Sequence, residues 1–542
     1  IATASDARSL YHALFVQDDW KVVRRLTLNF GLRYDYELAP LEVQNRNIRG
    51  FDPNAAQPIA PSAQAAYAAS PIPERAANTF QVKGGLLYTS PENRRFWTPE
   101  KTNVQPRVGF AYQITDKTVV RGGAGLYAVP FVIDGVRSYG FAQSTPIVVT
   151  PDGGLTFTAN AQNPWPTGLI SPSGSSLGAA TYLGRSITFT PTTRTNARSW
   201  RWVVSLQREL PGHWVVEASY VANRASDLGT SRDLNAVPAQ FLSTSPIRDT
   251  AVITQLGRQV TNPFAGLIPN VSLNGTTVSA NQLLRPYPQF TGVAGQMYDG
   301  STSYNSFLLN VSRRFAAGYA IDVNYTRSRL WEDLLRLNAT DTTYQHTIGR
   351  NDTPHRVAGS VVCDLPFKAS NRVVNGLIGG WSVNATFQLQ SGRPITDTLG
   401  NLYFKGDPNS LKVDWAKAKS NQPIFDTSGF YFSDETVQTN GVVDPAKQRA
   451  DSRINLANNI RTFPQRIDGL RTQVLNEWNI SVIKRQPLKG RVRLEFRAEI
   501  LNAFNLVYFG GVGLDPRQST FGLASSQSNL PREIQLAMKV LF

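Results

Sequence analysis

The 542-residue sequence is poor in the residues that build disulfides, metal centres and membrane helices. Its single cysteine, Cys363, excludes an internal disulfide framework, a cysteine-based zinc site and a Cys–Cys redox pair. No run of eighteen or more apolar residues occurs, which excludes a membrane-spanning helix within the chain. The four histidines show no metal-ligand spacing; they are His12, His213, His346 and His355. We therefore expect no metal site.

Catalytic patterns are also lacking. The sequence contains no Ser/His/Asp order, no glycine-rich phosphate loop leading into a helix, and no carboxylate pair that stands out from charged strands. His346 and His355 flank Arg350, Asn351 and Asp352, but this grouping is too loose for a metal site. The sequence therefore predicts no enzyme and no cofactor.

The last stretch, residues 533–542, shows a period of two. Apolar side chains occupy every second position, at Ile534, Leu536, Met538, Val540 and Phe542. Gln535, Ala537 and Lys539 occupy the other positions, so a strand here has one apolar and one polar face. A soluble protein would use such a strand at a half-buried edge. An outer-membrane barrel would use it as the closing strand, between lipid and a wet lumen.

The same two-faced pattern recurs along the chain. With the last stretch it predicts thirteen strands, at 11–22, 25–37, 104–114, 118–129, 198–210, 213–223, 303–315, 319–329, 355–367, 379–390, 476–486, 491–504 and 532–542. After the first hairpin, long links of roughly 25 to 85 residues alternate with mostly short turns, as in outer-membrane barrels. A soluble sandwich would not place its long loops so regularly at one end.

The pattern thus predicts an all-β fold, a transmembrane antiparallel β-barrel that forms one domain over residues 1–542. Tyr, Phe and Trp make up 10% of the chain, enough for interfacial aromatic belts. Short turns near 22–24, 115–117, 211–212, 316–318 and 487–490 should lie at the periplasmic end with Phe542. Within the long extracellular loops we expect short helices at 62–69 and 409–419 and a hairpin arm at 79–89.

The strand count is odd, unless the 79–89 arm crosses the membrane as a fourteenth strand. Single-chain bacterial barrels normally have an even number, and an open sheet cannot leave its edges unpaired in lipid. The chain begins at Ile1 without an initiator methionine or a signal peptide. We therefore expect it to be the C-terminal part of a larger barrel, with further strands upstream.

The net charge of +16 comes from 55 Lys and Arg against 39 Asp and Glu. No basic block occurs, because the positive charges are interleaved with acidic residues, and nucleic acid is therefore not an expected partner. Arginines that line the lumen, and loops that lie against anionic lipopolysaccharide, explain the charge better.

Several short motifs occur in order along the chain: FVQDDW at 15–20, LTLNFGLRY at 26–34, PRVGFAY at 106–112, SLQREL at 205–210, RPYP at 285–288, PHR at 354–356, QSGRP at 390–394, FRAE at 496–499, NAFN at 502–505 and the terminal Phe542. Together they resemble the barrel of Oar-like TonB-dependent receptors. The resemblance runs in order from about residue 11 to the end. It implies a 22-stranded barrel with an N-terminal plug, a TonB box and often a small sandwich domain. We expect none of these three N-terminal parts in this chain.

The function implied by this resemblance is energy-coupled uptake of a substrate across the outer membrane of a Gram-negative bacterium. The partners would be outer-membrane lipid and lipopolysaccharide, the missing barrel and plug segment, the TonB complex through that segment, and an unidentified substrate. A structural or adhesive surface protein on the same barrel is the alternative, and a passive porin is a third. Upstream sequence with a plug and a TonB box would favour transport.

Alternation also assigns candidate side chains to the two faces of the wall. The predicted lumen-facing set is Arg33, Asp35, Arg107, Arg493, Glu495, Arg497, Glu499 and Lys539. These charges could form a structural ion-pair ladder that supports the wall or a plug, or they could contact substrate. The predicted lipid-facing set is Leu28, Phe30, Val383, Phe387, Leu494, Phe496, Met538 and Val540.

Two further sets come from the chain terminus and the loops. Met538, Val540 and Phe542 are the candidate terminal signal for membrane insertion. The loop aromatics that could stack on a ligand are Trp97, Trp165, Tyr287, Trp331, Tyr403 and Trp415, although loop packing would use them equally well.

Overall fold

One antiparallel sheet dominates the computed structural model, which describes residues 5–130, 137–269, 271–395, 399–488 and 490–542. Within these residues the sheet follows the chain order through thirteen wall strands. They are β1 (Ala7–Val23), β2 (Leu26–Glu42), β3 (Val104–Thr115), β4 (Thr118–Val129), β5 (Ala197–Leu210), β6 (Trp214–Asp233), β7 (Gly292–Ala316), β8 (Tyr319–Asp333), β9 (His355–Asp364), β10 (Trp381–Gln390), β11 (Leu475–Pro487), β12 (Arg493–Leu501) and β13 (Glu533–Leu541).

The structure confirms the predicted strands and their order. Each of the eleven wall strands from β2 to β12 pairs antiparallel with the strand before it and the strand after it. In the described residues β1 and β13 each pair on one side only, so they are the edges of the sheet. The 79–89 arm stays in its loop, where Lys83–Tyr88 pairs with Ile48–Ala56 in a separate sheet. No helix in the described residues is long and apolar enough to span a membrane.

Strand ends differ most from the sequence prediction at β6 and β7. The alternation predicted an end near 223 and a start near 303, but the two strands continue as a ribbon in which Ala294 is paired with Asp233. This extension is polar and rich in glycine and contains register shifts near Gly300, so the period of two is lost there. Conversely, β12 ends at Leu501 because Asn502 takes a left-handed conformation with φ of 46°.

The short turns lie together at one end of the sheet, as predicted. They connect β1 to β2, β3 to β4, β5 to β6, β7 to β8 and β11 to β12, and Lys489 in the last turn lies outside the described residues. The pairing of Arg493 with Leu541 brings the end of β13 to this same end. A longer connection, 365–380, joins β9 to β10 here and contains helix α4 (Arg372–Ile378).

The strand register sorts the wall residues into two faces, because directly paired side chains point the same way. The apolar face carries the whole set predicted to face lipid, from Leu28 through Phe387 to Val540. The polar face carries the whole charged set, from Arg33 through Arg107 to Lys539.

The long loops at the opposite end contain further short elements. The α-helices are α1 (Ala60–Ala69), α2 (Thr250–Gly257), α3 (Ala280–Leu284) and α5 (Pro445–Ala450). The 3₁₀ turns are Ala77–Thr79, Gly178–Ala180, Ala239–Phe241, Ser272–Asn274, Pro408–Ser410, Trp415–Ser420, Ser428–Phe430, Glu435–Val437 and Ser452–Ile454. Short strands occur at Ser186–Phe189, Gln259–Thr261, Thr277–Ser279, Thr347–Ile348, Gln438–Thr439 and Val442–Val443. The helix predicted at 62–69 is confirmed, whereas 409–419 holds 3₁₀ turns instead of one α-helix.

Among the described residues, the two largest buried apolar clusters lie mainly in these loops. One cluster surrounds Tyr67, Phe264 and Phe290 and joins the β2–β3 loop to the β6–β7 loop. A second surrounds Phe430 and Phe463 in the β10–β11 loop and includes Phe521 of the last loop. The loops are therefore folded bodies with their own cores.

Candidate functional site

A ladder of charged side chains follows the polar face at the last strands. Arg485 contacts Glu495 at 3.2 Å, Glu495 contacts Arg497 at 2.9 Å, and Arg497 contacts Glu499 at 3.2 Å. Lys539 is paired in register with Glu495 on the same face. Each carboxylate thus lies beside a guanidinium, so the ladder neutralises its own charge within the wall.

A second charged group occupies the polar face at the first strands. The Arg33 guanidinium lies 2.8 Å from the Asp35 carboxylate and donates to the Tyr11 hydroxyl at 3.1 Å. Gln105 donates its amide to Asp35, which is buried. Arg107 lies instead over the Tyr127 ring, 4.6 Å from its centroid. The alternation in the sequence predicts that these residues share one face, whereas the strand register determines which residues they contact.

A cavity of about 800 Å³ opens where the last three wall strands meet the loops. Its floor comes from residues near the loop ends of these strands, including Leu475, Glu477 and Leu501. Its other walls come from the β12–β13 loop at Val507 and Leu530, and from the β10–β11 loop. Its lining is mostly apolar, with amide, hydroxyl and carboxylate groups at intervals. A cavity of this size and composition can hold a small organic molecule.

Hydrogen bonds fix the walls of this cavity. The Asn502 side-chain amide donates to the Leu506 carbonyl at 2.9 Å and to the Leu530 carbonyl at 3.1 Å. Gln473 donates to the Val507 carbonyl at 3.1 Å, which ties the loop to the start of β11. Asn502 belongs to the NAFN motif, and Trp415, one of the predicted loop aromatics, also lines the cavity. The pattern of the sequence otherwise missed this site, because its walls are far apart in the chain.

Trp415 is the loop aromatic among the predicted six that lines the cavity. Its indole N–H donates to the Arg471 carbonyl at 3.0 Å, and its ring is stacked toward Phe509 at a centroid distance of 6.4 Å. These contacts hold the ring at the cavity wall. The indole N–H therefore has its hydrogen-bond acceptor within the protein, and the apolar surface of the ring lines the cavity.

The other five loop aromatics lie elsewhere and have protein neighbours. Trp97 is buried, and the Arg194 guanidinium lies over its ring. Tyr287 packs edge-on against Phe51. Trp165 donates to the Thr145 carbonyl, the Trp331 ring stacks on His346, and the Tyr403 ring stacks on Phe432. These contacts favour loop packing, and the structure does not bring the six aromatics together.

The loose histidine grouping is dispersed. His346 pairs with Asp333 at 2.9 Å, whereas His355 contacts the Tyr325 hydroxyl at 2.9 Å. Asp352 is fully buried, and its carboxylate binds Arg471 and the Leu330 N–H. Within the described ranges, no group of three or more His, Cys, Asp or Glu could hold a metal ion.

A buried ionic cluster, which sequence analysis did not find, joins two loops. The Asp352 carboxylate accepts from the Arg471 guanidinium at 2.7 Å and from the Leu330 backbone N–H at 2.7 Å. Arg466 pairs with Glu332 at 2.6 Å nearby. Burial would raise the pKa of Asp468, but its hydrogen bonds to Arg329 and Arg471 outweigh burial and hold that pKa below its usual value. The cluster ties the β8–β9 loop to the β10–β11 loop.

Comparison with known proteins identifies the family. A family model described as an outer membrane beta barrel domain matches residues 2–535, nearly the whole chain. The chain belongs to this family. The protein is therefore a component of the outer membrane of a Gram-negative bacterium. A barrel domain of this family is not an enzyme.

The chain also resembles solved structures at low similarity. The ferripyoverdine receptor of the outer membrane of Pseudomonas aeruginosa is 9% identical, with 99% of this chain and 39% of that chain covered and a TM-score of 0.38. The outer membrane transporter YddB from Escherichia coli is 11% identical, with 98% and 54% covered and a TM-score of 0.39. The chain thus spans about half of such proteins or less. No curated protein matches the chain.

Proposed function

We propose that this chain forms part of the wall of a TonB-dependent receptor that takes up a substrate across the outer membrane. The apolar face meets lipid, the polar face lines the lumen, and the long loops lie outside the cell. The single observation that carries the proposal is the two-faced sheet, whose long folded loops all lie at one end. The motif resemblance adds energy coupling, through parts upstream of residue 1.

The barrel closes with strands that this chain does not supply. In this proposal residues 1–542 are part of a single barrel domain, and β1 and β13 are the open edges of the sheet among the described residues. Lipid offers no hydrogen-bond partners, so both edges need further strands. About nine more would complete the 22-stranded barrel that the resemblance implies, and a plug would occupy the lumen.

The charge ladder supports the wall around this plug. Arg485, Glu495, Arg497 and Glu499 already form ion pairs with one another, so their main role is structural. Lys539 and Arg493 are the exposed cations beside the ladder, and they face the lumen where plug or substrate carboxylates would pass. The loops present basic residues to lipopolysaccharide, and Met538, Val540 and Phe542 provide the terminal insertion signal.

Substrate binds in the cavity at the loop ends of the last three strands. Its apolar walls and scattered amides suit a small organic ligand, and Glu477 and Glu533 of its lining lie on the polar face that lines the lumen. Trp415 offers a flat apolar surface there. This arrangement also explains why the cavity is built from loops that fold against one another.

Bilayer conductance and growth together test this function. The intact protein, purified from the outer membrane, should show almost no conductance in a planar bilayer, because a plug fills the lumen. A strain lacking the gene and a strain lacking TonB should share one growth defect in medium where the substrate is scarce. A large, steady conductance would instead indicate a porin. A closed barrel whose loss gives no TonB-dependent growth defect would indicate a structural or adhesive protein.

A further inference from the structure

The β9–β10 connection differs from the other turns at its end of the sheet. The other hairpin turns there contain five residues or fewer, whereas this one spans 365–380 and includes α4. It exposes five large apolar side chains to between 41% and 72% of their full surface: Phe367, Val373, Val374, Leu377 and Ile378. A clustered apolar surface of this kind marks a contact with another phase or molecule.

The short helix α4 is built to present these side chains. Val373, Val374, Leu377 and Ile378 recur at helical spacing and therefore share one side of the helix. The Asn371 side chain caps the helix, accepting from the Val373 N–H at 2.9 Å and the Val374 N–H at 3.2 Å. A helix of seven residues is marginal in water without such support.

Two side chains from the apolar face hold α4 in place. The Trp381 indole N–H donates to the Leu377 carbonyl at 2.8 Å. The Lys484 ammonium donates to the Gly379 carbonyl and lies 5.5 Å from the centroid of the Trp381 ring. The register places Trp381 and Lys484 on the same face as Phe496. The helix therefore lies on the apolar-face side of the wall, at the turn end.

The charges of this connection are all positive. Lys368 and Arg372 are the charged residues of 365–380, and Lys484 lies beside the helix. Asp364, just before the connection, does not add negative charge to this surface, because its carboxylate accepts a hydrogen bond from Ser382 on the polar face at 2.7 Å. Apolar side chains flanked by cations complement a layer of anionic headgroups above acyl chains.

A shallow groove continues this surface along the apolar face. It encloses about 370 Å³ and begins at Trp381 and Lys484. It extends over β11 to β13 and is lined further on by Phe496, Leu536 and Met538. The apolar side of α4 and the groove thus form one continuous apolar surface with cations at its turn end.

We propose that α4 is an interfacial helix that binds the phospholipid surface of the periplasmic leaflet. Its apolar side enters the boundary between headgroups and acyl chains, Lys368 and Arg372 pair with headgroup phosphates, and the groove holds an acyl chain. The inference rests on the proposed orientation, with the apolar face toward lipid, but not on transport. Trp381 and Lys484 anchor the helix at headgroup depth.

Depth measurement on the intact protein tests this proposal. The protein, with Cys363 replaced by Ala, is reconstituted in phosphatidylethanolamine–phosphatidylglycerol vesicles and labelled with a fluorophore at Leu377→Cys. Lys117→Cys, in the short β3–β4 turn at the same end, is the matched aqueous control. Nitroxides on the lipid should quench the Leu377 label about twofold more than the Lys117 label. Val373→Cys provides a second position if Leu377→Cys does not fold.

Further outcomes distinguish a failure of the interfacial-helix proposal from a failure of the assumed orientation of the apolar face. A Val361→Cys label on the apolar face reports the orientation independently. If lipid nitroxides quench it but not the Leu377 label, the interfacial helix is refuted and the orientation stands. If neither is quenched, both fail. Disulfide-linked dimers through Leu377→Cys would refute lipid binding in favour of a second copy of the protein.

Native mass spectrometry tests the cations. Lys368→Gln with Arg372→Gln should lower the retention of phosphatidylglycerol about threefold or more, whereas Lys117→Gln should leave it unchanged. Equal retention in all three proteins would overturn the role assigned to Lys368 and Arg372.

Discussion

Individual residues of this protein are most constrained in the loops, where ionic groups are buried. Asp352 has no exposed side-chain surface and binds Arg471 and a backbone N–H at once. A charge in this position is stable only while its partners remain. Many wall residues, such as Leu14 and Phe496, are exposed on one face of the sheet and are therefore less constrained.

We predict that Asp352→Ala destabilises the contact between the β8–β9 and β10–β11 loops by about 3–5 kcal/mol. The substitution leaves the Arg471 guanidinium and the Leu330 N–H buried without their shared acceptor. Hydrogen exchange of residues 466–475 measures the free energy of this opening. Asp515→Ala, which removes an exposed local pair with Arg517, is the control and should change nothing measurable there. Unchanged exchange in Asp352→Ala would contradict the prediction.

A second prediction concerns the stability of a contact between two loops at acid pH. Glu74 and Arg258 join the β2–β3 loop to the β6–β7 loop, with one contact of 2.7 Å. Their hydrogen bond lowers the pKa of Glu74 from 4.5 to about 2. Since the folded pKa is below the unfolded value, this link stabilises the loops fully above pH 4.5, and the stabilisation is lost as pH falls toward 2.

Cleavage by pepsin between pH 4.5 and 2 measures this effect. The rate in segment 70–79, relative to a free peptide of that sequence, should rise as pH falls in the unchanged protein. Glu74→Gln should be cleaved at a similar relative rate throughout, because it has no charge to lose. A flat profile in the unchanged protein would show that Glu74 does not link the loops.

At the scale of elements, the two faces of a strand should respond differently to charge. Val361 and Ser360 are neighbours in β9 on opposite faces: Val361 is paired with Ile321 and Ala385, and Ser360 with Asp322. Val361→Arg should therefore cost about 2–4 kcal/mol of folding free energy in a bilayer. Ser360→Arg should be tolerated, because an arginine there meets the Asp322 carboxylate and a wet lumen.

Urea unfolding of the reconstituted protein gives both free energies. If Ser360→Arg is the costly variant and Val361→Arg is tolerated, the faces are assigned the wrong way round. A one-residue shift in register exchanges the faces of a whole strand, so this pair of variants tests the entire β9 assignment.

At the scale of the whole molecule, the open edges of the sheet require partners. The nine residues of β13 and the seventeen of β1 would each leave about half of their backbone N–H and C=O groups facing hydrocarbon. The cost is several kcal/mol for each such group, which exceeds the roughly 5–15 kcal/mol that stabilises an ordinary domain.

We therefore predict that the sealed barrel in the outer membrane contains more polypeptide than the 59.7 kDa of this chain. The additional strands belong to the same polypeptide or to a tightly held fragment. Intact-mass analysis of the purified complex checks this. A single 59.7 kDa species that forms a sealed barrel would refute it. The 79–89 arm would then be the first candidate for a fourteenth strand, despite its pairing with Ile48–Ala56.

The sequence by itself determined the wall: its strands, their order, the end that holds the turns, and which side chains share a face. A strand in this wall has a neighbour on each side and a different medium on each face, so a period of two is imposed residue by residue. Phe496 and Arg497 could therefore be separated without any knowledge of their neighbours. The pattern failed at the polar ribbon of β6 and β7, where it no longer alternates.

Only the tertiary structure decided the sites in the loops and at the turn end. The cavity beside Trp415, the cluster around Asp352 and the position of α4 all depend on contacts between segments far apart in the chain. Loop side chains follow no period, because they pack against a core of irregular shape. A local pattern therefore carries no information about which distant segment supplies the partner, and folding must bring the two together.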